Sequence, residues 1–189
     1  MNRIQTELII NDLTKKMVFL AGPRQAGKTY MSKMVAERFQ KPVYLNYDNL
    51  LDRKIIQDQA WLRSTDLLIF DELLKMPDWK NYLKGVYDTK QPSMAILVTG
   101  SARLDIFDKV GDSLAGRYFL YRLLPLSPAE LTQLKEPFQL EDLIEKGGFP
   151  EPFLAESLVE ANRWRQQYSN SILATDICEI KTVKKSILL

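Results

Sequence analysis

Two glycines, a lysine and a threonine near the start of the chain have the types and spacing of a phosphate-binding loop. Residues 22–29 read GPRQAGKT and match the pattern G-x-x-x-x-G-K-[ST]. In such a loop, main-chain N–H groups and a helix N-terminus point at phosphate oxygens, so glycine is needed where the backbone comes close. Lys28 would reach the β- and γ-phosphates, and the Thr29 hydroxyl would bind Mg²⁺. We predict nucleotide binding by Gly22, Pro23, Arg24, Gln25, Ala26, Gly27, Lys28, Thr29 and Tyr30.

Two carboxylates stand directly after an apolar segment, as in the Walker B motif of P-loop ATPases. Residues 67–70 read LLIF, and Asp71 and Glu72 follow. Asp71, at the carboxyl end of a strand, would hold Mg²⁺ through its water shell. Because successive strand side chains point to opposite sides, Glu72 projects differently and can polarise the attacking water. The alternative is a strand followed by a solvated acidic turn, which the upstream glycine-rich loop disfavours.

Three further polar residues, and Arg24 of the glycine-rich loop, are candidates for contacts with phosphate charge. Thr99 and Ser101 follow the apolar segment 95–98, where either hydroxyl could sense the γ-phosphate or simply close a turn. Arg117 could stabilise charge on the transferring phosphoryl group, in cis or across a subunit boundary, or it could be a surface arginine. Arg24 contacts a phosphate or a partner in one interpretation and is solvated in the other.

Alternating strands and helices are predicted to position these residues. Short apolar segments predict strands at residues 17–21, 42–47, 67–70, 95–99 and 118–124. Periodicity and capping residues predict helices over 2–14, over 29–39, from the cap at 48–49 through 59, from the cap Asp78 through 87, and over 104–109. The first helix is expected to bury a stripe of Ile4, Leu8, Ile9 and Leu13. This alternation predicts an α/β fold, with a parallel sheet covered by helices on both faces.

The pattern becomes entirely helical after residue 126. Ser127 and Glu130 form a capping box with proline between them, a helix over 140–146 is stopped by Gly147 and Gly148, and a longer helix is predicted over 156–173. We therefore predict two domains, an α/β nucleotide-binding core over 1–126 and a helical segment over 127–189.

Composition limits the chemistry that the chain can perform. Its 189 residues include no histidine, which excludes histidine acid–base catalysis, Ser-His-Asp triads and histidine-ligated metals. A net charge of +2 does not itself point to nucleic acid or to a membrane. Cys178, the single cysteine, excludes an internal disulfide and fits a reducing compartment. Without an apolar segment of membrane-spanning length or a signal-peptide pattern, we expect a cytoplasmic protein with no membrane partner.

Five segments, taken in order, resemble one family of ATPases. GPRQAGKT, LLIFDELLKMPDW, ILVTGSARLD, GDSLAGRYFLYRLLPLSPAE and GGFPEP are similar to the bacterial and archaeal AAA+-type ATPases whose long members carry a C-terminal DUF4143 domain. That family is related to the STAND branch of signalling ATPases. The resemblance implies an ASCE-type P-loop core, a five-stranded parallel sheet of order 5-1-4-3-2 and a C-terminal helical lid. Long members continue beyond the equivalent of 174–177, so this chain is expected to be a truncated or short variant.

The same resemblance implies roles for individual residues. Lys28 and Thr29 correspond to the phosphate and Mg²⁺ residues, and Asp71 with Glu72 corresponds to the Walker B pair. Thr99 or Ser101 looks like sensor 1, and Arg117 falls where AAA+ proteins place the arginine finger. Residues 148–150, GFP, look like a lid motif whose proline, Pro150, packs near the nucleotide; the alternative is a helix stop followed by a turn.

Three functional hypotheses follow. The leading one is Mg²⁺-dependent hydrolysis of ATP to ADP and phosphate, coupled to lid motion, with Glu72, Lys28 and Arg117 as catalytic residues. Adenine is favoured because the chain has no Asn-Lys-x-Asp sequence of the kind GTPases use to select guanine. The second is a slow ATP/ADP-dependent switch that signals to a protein or DNA partner. The third, a small-molecule kinase, is disfavoured because a kinase does not need a water-polarising glutamate beside its Mg²⁺ aspartate. Self-association is expected if Arg117 acts in trans.

Overall fold

The computed structural model describes residues 3–100, 114–132 and 139–186, with side chains described as far as residue 172. These residues fall into two compact units, Met1–Leu124 and Pro125–Leu189. Ser101 and the predicted helix over 104–109 lie outside the described residues.

One parallel sheet forms the centre of the first unit. Its strands are β1 (Met17–Ala21), β2 (Pro42–Asn46), β3 (Leu67–Asp71), β4 (Ala95–Gly100) and β5 (Tyr118–Arg122). The order across the sheet is β2-β3-β4-β1-β5, and every neighbouring pair is parallel. The predicted order 5-1-4-3-2 is therefore confirmed. The inner strands β1, β3 and β4 are buried along their whole length, which explains why they read as uninterrupted apolar segments.

Four α-helices and one short 3₁₀ helix accompany the sheet in the described part of the first unit. They are α1 (Thr6–Leu13), α2 (Lys28–Ala36), α3 (Leu50–Asp58), the 3₁₀ helix Leu73–Lys75 and α4 (Trp79–Thr89). The first helix is shorter than predicted, and half of its predicted stripe is wrong. Ile9 and Leu13, one turn apart, are buried, whereas Ile4 and Leu8 are exposed. Ile4 precedes the helix, and Leu8 is turned about 100° from Ile9, away from the sheet.

The N-terminal caps of α3 and α4 differ in whether the side chain makes the capping hydrogen bond. Asn49 caps α3 as expected, because its side chain accepts hydrogen bonds from the N–H groups of Leu51 and Asp52. Asp78 stands at the predicted N-cap position of α4, but its side chain makes no capping hydrogen bond. Its backbone is left-handed, with φ 56°, whereas a capping side chain needs an extended backbone, and its carboxylate instead accepts a hydrogen bond from the Asn81 amide.

Alternate strand residues divide the core into two layers and decide which side chains can meet. Phe19, Phe70 and Val98 lie in the layer that contains α3 and α4 residues. The opposite layer contains residues of α1 and α2 together with Leu20, Ile69 and Leu97. Because side chains two apart on a strand share a face, Asp71 follows Ile69 and Thr99 follows Leu97 on the side of α2.

The described part of the second unit is helical. It contains α5 (Pro128–Leu131), α6 (Leu140–Lys146), α7 (Pro150–Phe153) and α8 (Leu158–Ser186). Both bonds of the predicted capping box at Ser127 and Glu130 are present, and α6 ends at Gly147, which has φ 81°. The last helix was predicted over 156–173; the observed α8 begins two residues later, at Leu158, and continues to Ser186. The short helix α7 was not predicted. Phe149, Trp164 and Tyr168 pack together, with the Trp164 and Tyr168 rings stacked 4.7 Å apart.

Among the helices that the structure describes, none is both long enough and apolar enough to cross a membrane.

Candidate phosphate-binding site

Residues 22–29, hereafter the P-loop, connect the buried strand β1 to α2 at the carboxyl edge of the sheet. Gly27, at the start of α2, has φ 94°, and Gln25 has φ 61°. A Cβ on Gly22 would lie 2.2 Å from the main-chain oxygen of Leu123. The two glycines are thus required for different reasons, Gly27 for its left-handed backbone and Gly22 for the space taken by the neighbouring strand end.

Lys28 is buried and turns its side chain back over the P-loop. Its Nζ donates hydrogen bonds to the main-chain oxygens of Gly22, at 3.0 Å, and Pro23, at 2.8 Å. Burial lowers the pKa of Lys28 below its ordinary value, while the negative charges of Glu72 and Asp71 oppose that shift. The ammonium group is therefore enclosed by the loop and lies within the field of both carboxylates.

Three hydroxyl groups from different elements converge on the buried carboxylate of Asp71. Oδ2 accepts from Tyr44 on β2 and lies 3.5 Å from Oγ1 of Thr29 on α2. Oδ1 accepts from Thr99 on β4. Asp71 is only 5% exposed, so these donors replace the water that a carboxylate would otherwise lose on burial. The arrangement holds both oxygens in fixed directions beside the first turn of α2.

Tyr44 is the member of this group that the sequence prediction missed. Burial, together with the hydrogen bond and negative charge of Asp71, raises the pKa of Tyr44 well above its ordinary value, so the phenol stays protonated and donates. In the sheet Tyr44 is paired with Ile69, two residues before Asp71 on the neighbouring strand. Strand alternation places its side chain on the Asp71 face, but this signal is useful only once β2 and β3 are known to be neighbours.

Glu72 is placed differently from the aspartate before it. It is partly exposed, its backbone is left-handed with φ 56°, and its carboxylate lies 3.5 Å from the Lys75 ammonium group. Its N–H donates to the Thr99 oxygen at 2.9 Å. Non-glycine residues rarely adopt a left-handed backbone, and such strain concentrates at functional sites. The chain therefore turns sharply between the buried carboxylate and the partly exposed one.

Thr99, one of the two candidate sensors, faces Asp71 in the sheet register and is fully buried. Since its hydroxyl donates to Asp71, any influence on phosphate would pass through that carboxylate. Arg24 and Gln25 are exposed, as is Tyr30, whereas Ala26 is buried. Pro150 belongs to the second unit, where it begins α7.

Arg117 is not brought to the P-loop of its own chain. It directly precedes β5, whose first residue pairs with Met17 at the start of β1, whereas the P-loop follows the end of β1. Five strand residues separate the two edges, which corresponds to about 16 Å. Its guanidinium contacts the Asp88 carboxylate at 2.9 and 3.3 Å and holds the pKa of that carboxyl below its ordinary range. A role for Arg117 at a nucleotide would therefore require the nucleotide of another subunit.

The oxygen groups at the first turn of α2 fit a magnesium ion. Mg²⁺ prefers oxygen ligands and is commonly held by one or two protein groups, with phosphates and waters completing its octahedron. The Thr29 hydroxyl and the Asp71 carboxylate are 3.5 Å apart, close enough to serve one ion directly or through its waters. The described residues contain no cluster of three or more His, Cys, Asp or Glu suited to a metal, so a site built entirely from protein ligands is not found among them.

The sheet order, the P-loop and the carboxylate at the end of β3 define a P-loop NTPase fold. A family model described as an AAA domain, AAA_14, matches residues 14–132, and the chain belongs to this family. The matched region includes the P-loop, β3 with Asp71 at its end, the following Glu72, and Arg117.

Two curated relatives are similar to this chain in sequence, and solved structures are similar to it in fold. Uncharacterized proteins of Mycobacterium bovis (Mb2031c) and Mycobacterium tuberculosis (Rv2008c) are each 29% identical over 166 residues, which is 87% of this chain. The matched region covers only 36% of each relative, so the chain spans about a third of their length. The Walker-type ATPase paby2304 of Pyrococcus abyssi is similar in fold, with a TM-score of 0.62 and 13% identity over 98% of this chain and 77% of that one.

Proposed function

We propose that this chain binds ATP with Mg²⁺ at the P-loop and hydrolyses it to ADP and phosphate. The observation that carries the proposal is the approach of Thr29, in the first turn of α2, to within 3.5 Å of the buried Asp71 carboxylate. Membership of the AAA domain family and the fold likeness to a Walker-type ATPase support it. Mg²⁺, held by Thr29 and Asp71, would neutralise charge on the phosphates when bound.

The chain's own residues would divide the remaining work. The P-loop N–H groups and the α2 N-terminus would bind the phosphate oxygens. Lys28 would exchange its two main-chain acceptors for phosphate oxygens, so the buried ammonium group would keep its hydrogen bonds and would gain a negatively charged partner. Glu72, partly exposed beside the site, would orient the attacking water and accept its proton. Thr99 and Tyr44 would hold Asp71 in place.

Several finer features also belong to this proposal. Adenine is favoured because the sequence lacks a guanine-selecting Asn-Lys-x-Asp segment. The order of the five family-like segments supports assignment of the chain to the branch that is related to STAND ATPases and whose long members carry a DUF4143 domain. The same resemblance supports a motion of the helical segment around Pro150 during the nucleotide cycle. A cytoplasmic location fits the single thiol of Cys178.

The proposal is tested by measuring phosphate release from ATP and Mg²⁺ together with equilibrium binding of ADP. Lys28→Ala is expected to abolish both, because the loop loses its cation. Glu72→Gln is expected to abolish turnover while binding persists. Lys33→Ala on the exposed side of α2 and Glu37→Gln just after α2 are matched controls that should retain wild-type behaviour. Wild-type protein that binds neither ATP nor ADP would contradict the proposal.

A nucleotide-dependent switch with slow hydrolysis is the alternative, and two observations favour it. The Glu72 carboxylate is ion-paired with Lys75, which draws it toward that ammonium group, and Arg117 lies at the far edge of the sheet from the P-loop. A chain of this kind would hold nucleotide and signal to a protein or DNA partner until a neighbour supplied the missing charge. Tight binding with negligible turnover in wild-type protein, unchanged by Glu72→Gln, would favour the switch.

A further inference from the structure

Arg3 joins two separate parts of the first unit through their main-chain oxygens. Its side chain is buried; Nη1 donates to the oxygen of Ala26 at 3.0 Å, and Nη2 donates to the oxygen of Leu124 at 2.6 Å. Ala26 lies inside the P-loop, directly before the left-handed Gly27, and Leu124 is the last residue of the first unit. One guanidinium therefore spans the P-loop and the point at which the chain leaves the sheet unit.

The same parts of the unit also meet through other contacts. The Leu123 N–H donates to the oxygen of Ala21 at 2.7 Å, and its carbonyl oxygen fills the space beside Gly22, where a Cβ would approach to 2.2 Å. The Gln5 amide donates to the oxygen of Arg122 at 3.2 Å. The N-terminal residues, the P-loop and residues 122–124 are thus packed as one group, and a displacement of one member is felt by the others.

The next residues along the chain are bonded in turn to the segment before Pro150. Within the second unit, the Leu126 N–H donates to the oxygen of Gly148 at 2.6 Å, and a Cβ on Gly148 would lie 2.8 Å from the Leu126 oxygen. Only Pro125 separates Leu126 from Leu124. A proline ring fixes its own φ and restricts the residue before it, so fewer backbone rotations are free between Leu124 and Leu126.

We propose that Arg3 is a positioning residue that transmits the nucleotide state of the P-loop to Leu126 and Gly148. The inference rests on the proposed function, because it requires a phosphate to bind. The oxygen of Ala26 and the N–H of Gly27 belong to one planar peptide group, so turning that N–H toward a phosphate also moves the oxygen that Arg3 holds. Arg3 then shifts the main chain at Leu124, and the covalent connection through Pro125, with its restricted rotations, passes the movement to Leu126.

The type of residue matters for this role. A guanidinium presents several N–H donors in a rigid fork, so it can fix the relative positions of two carbonyl groups. A lysine keeps the positive charge but is a flexible point donor, which can bond to either oxygen without fixing the distance between them. Arg3→Lys therefore separates charge from geometry, and Arg3→Gln removes both.

The test is hydrogen–deuterium exchange of the full chain with and without saturating Mg²⁺ and ADP, followed in peptides that cover residues 20–30, 122–132 and 145–155. In wild-type protein, ADP is expected to slow exchange in the P-loop and to change exchange at Leu126 and around Gly148. In Arg3→Gln, P-loop protection at saturating ADP should persist while the two distant changes disappear, and the Kd for ADP should rise about tenfold. Arg38→Gln, which removes an exposed arginine paired with Glu7, is the matched control.

The outcomes distinguish a failure of this inference from a failure of the function on which it rests. If wild-type P-loop amides are not protected by nucleotide, both fail. If nucleotide protects the wild-type P-loop but exchange at Leu126 does not change, the proposed transmission is overturned and the proposed function stands. The same conclusion follows if Arg3→Gln keeps the changes at Leu126 and Gly148. It also follows if Arg3→Gln loses P-loop protection at every ADP concentration. If Arg3→Gln does not retain the wild-type melting profile, the comparison is made in Arg3→Lys. Unfolding of both variants would make Arg3 a folding residue and would also overturn the proposal.

Discussion

The hydroxyl of Tyr44 donates a hydrogen bond to Oδ2 of Asp71, the same carboxylate oxygen that lies 3.5 Å from the Thr29 hydroxyl. Tyr44 therefore occupies one side of the oxygen that is proposed to serve Mg²⁺. Together with Thr99, which donates to Oδ1, it stabilises the buried charge in the free protein, and the waters of a bound ion would take over part of that task. The stability of the site and its ligand binding are thus linked through one side chain.

Tyr44→Phe is expected to destabilise the free protein more than the nucleotide-bound protein. Removal of a donor to a buried carboxylate should lower the free energy of unfolding by roughly 1–3 kcal/mol. Mg²⁺ and ADP should restore part of this loss, because the waters of the ion supply new donors to Asp71. Melting temperatures with and without Mg²⁺ and ADP would measure the effect. Tyr82→Phe is the matched control, since its hydroxyl donates instead to the main-chain oxygen of Ile56. Equal losses with and without ligand in Tyr44→Phe would contradict the prediction.

Gly22→Ala and Gly85→Ala are expected to have opposite effects on stability. The added methyl group at Gly22 would lie 2.2 Å from the Leu123 oxygen, which is main chain and cannot move aside alone. Overpacking of this kind should cost roughly 1–3 kcal/mol and weaken ADP binding. Gly85 lies inside α4 with nothing within 4 Å of an added methyl group, so alanine should stabilise the helix by about 0.5–1 kcal/mol. Chemical denaturation measures both; a Gly22→Ala variant with wild-type stability and binding would be inconsistent with this geometry.

The strands and the P-loop could be predicted because their signals are local. Buried parallel strands read as apolar segments, and the loop motif stands between a strand and a helix. The order of the strands, by contrast, came from the family resemblance, because periodicity says nothing about which strands are neighbours. For the same reason the contact between Tyr44 and Asp71 could not be predicted, since it joins adjacent strands that are 27 residues apart along the chain.

The contacts of Arg3 escaped prediction for a different reason. A charged residue near the beginning of a chain is ordinarily exposed, and its partners here are the main-chain oxygens of Ala26 and Leu124, which have no side-chain signature. At Asp78 the opposite happened: the sequence predicted a capping hydrogen bond, and the left-handed backbone prevents it. Local patterns thus predicted the elements, whereas the residues that connect them depended on tertiary packing.

The ion pair between Arg117 and Asp88 should make stability depend on pH in the acid range. The Arg117 hydrogen bond lowers the folded-state pKa of Asp88 below 3.8, so the unfolded chain takes up the proton first as the pH falls. The stabilisation is complete above 3.8 and is lost as the pH falls through the lower folded-state value. Arg117→Gln should melt earlier than wild-type protein at neutral pH, and the gap should close in strong acid. A gap that stays constant would mean that Arg117 acts through packing and not through charge.

The position of Arg117 also predicts that any catalytic effect requires self-association. Because it lies about 16 Å from the P-loop edge of its own sheet, it could reach only the nucleotide of a neighbour. We expect ATP turnover per subunit to rise with protein concentration, and both Arg117→Ala and Lys28→Ala to be nearly inactive alone. An equal mixture of the two variants should regain about a quarter of wild-type turnover. Random assembly places the intact P-loop of an Arg117→Ala subunit beside the intact Arg117 of a Lys28→Ala subunit at about a quarter of the interfaces. Mixing Arg117→Ala with an Arg117→Ala, Lys28→Ala double variant is the control, because no subunit then offers the arginine. Full turnover by Arg117→Ala, or turnover independent of concentration, would leave Arg117 only its ion pair with Asp88.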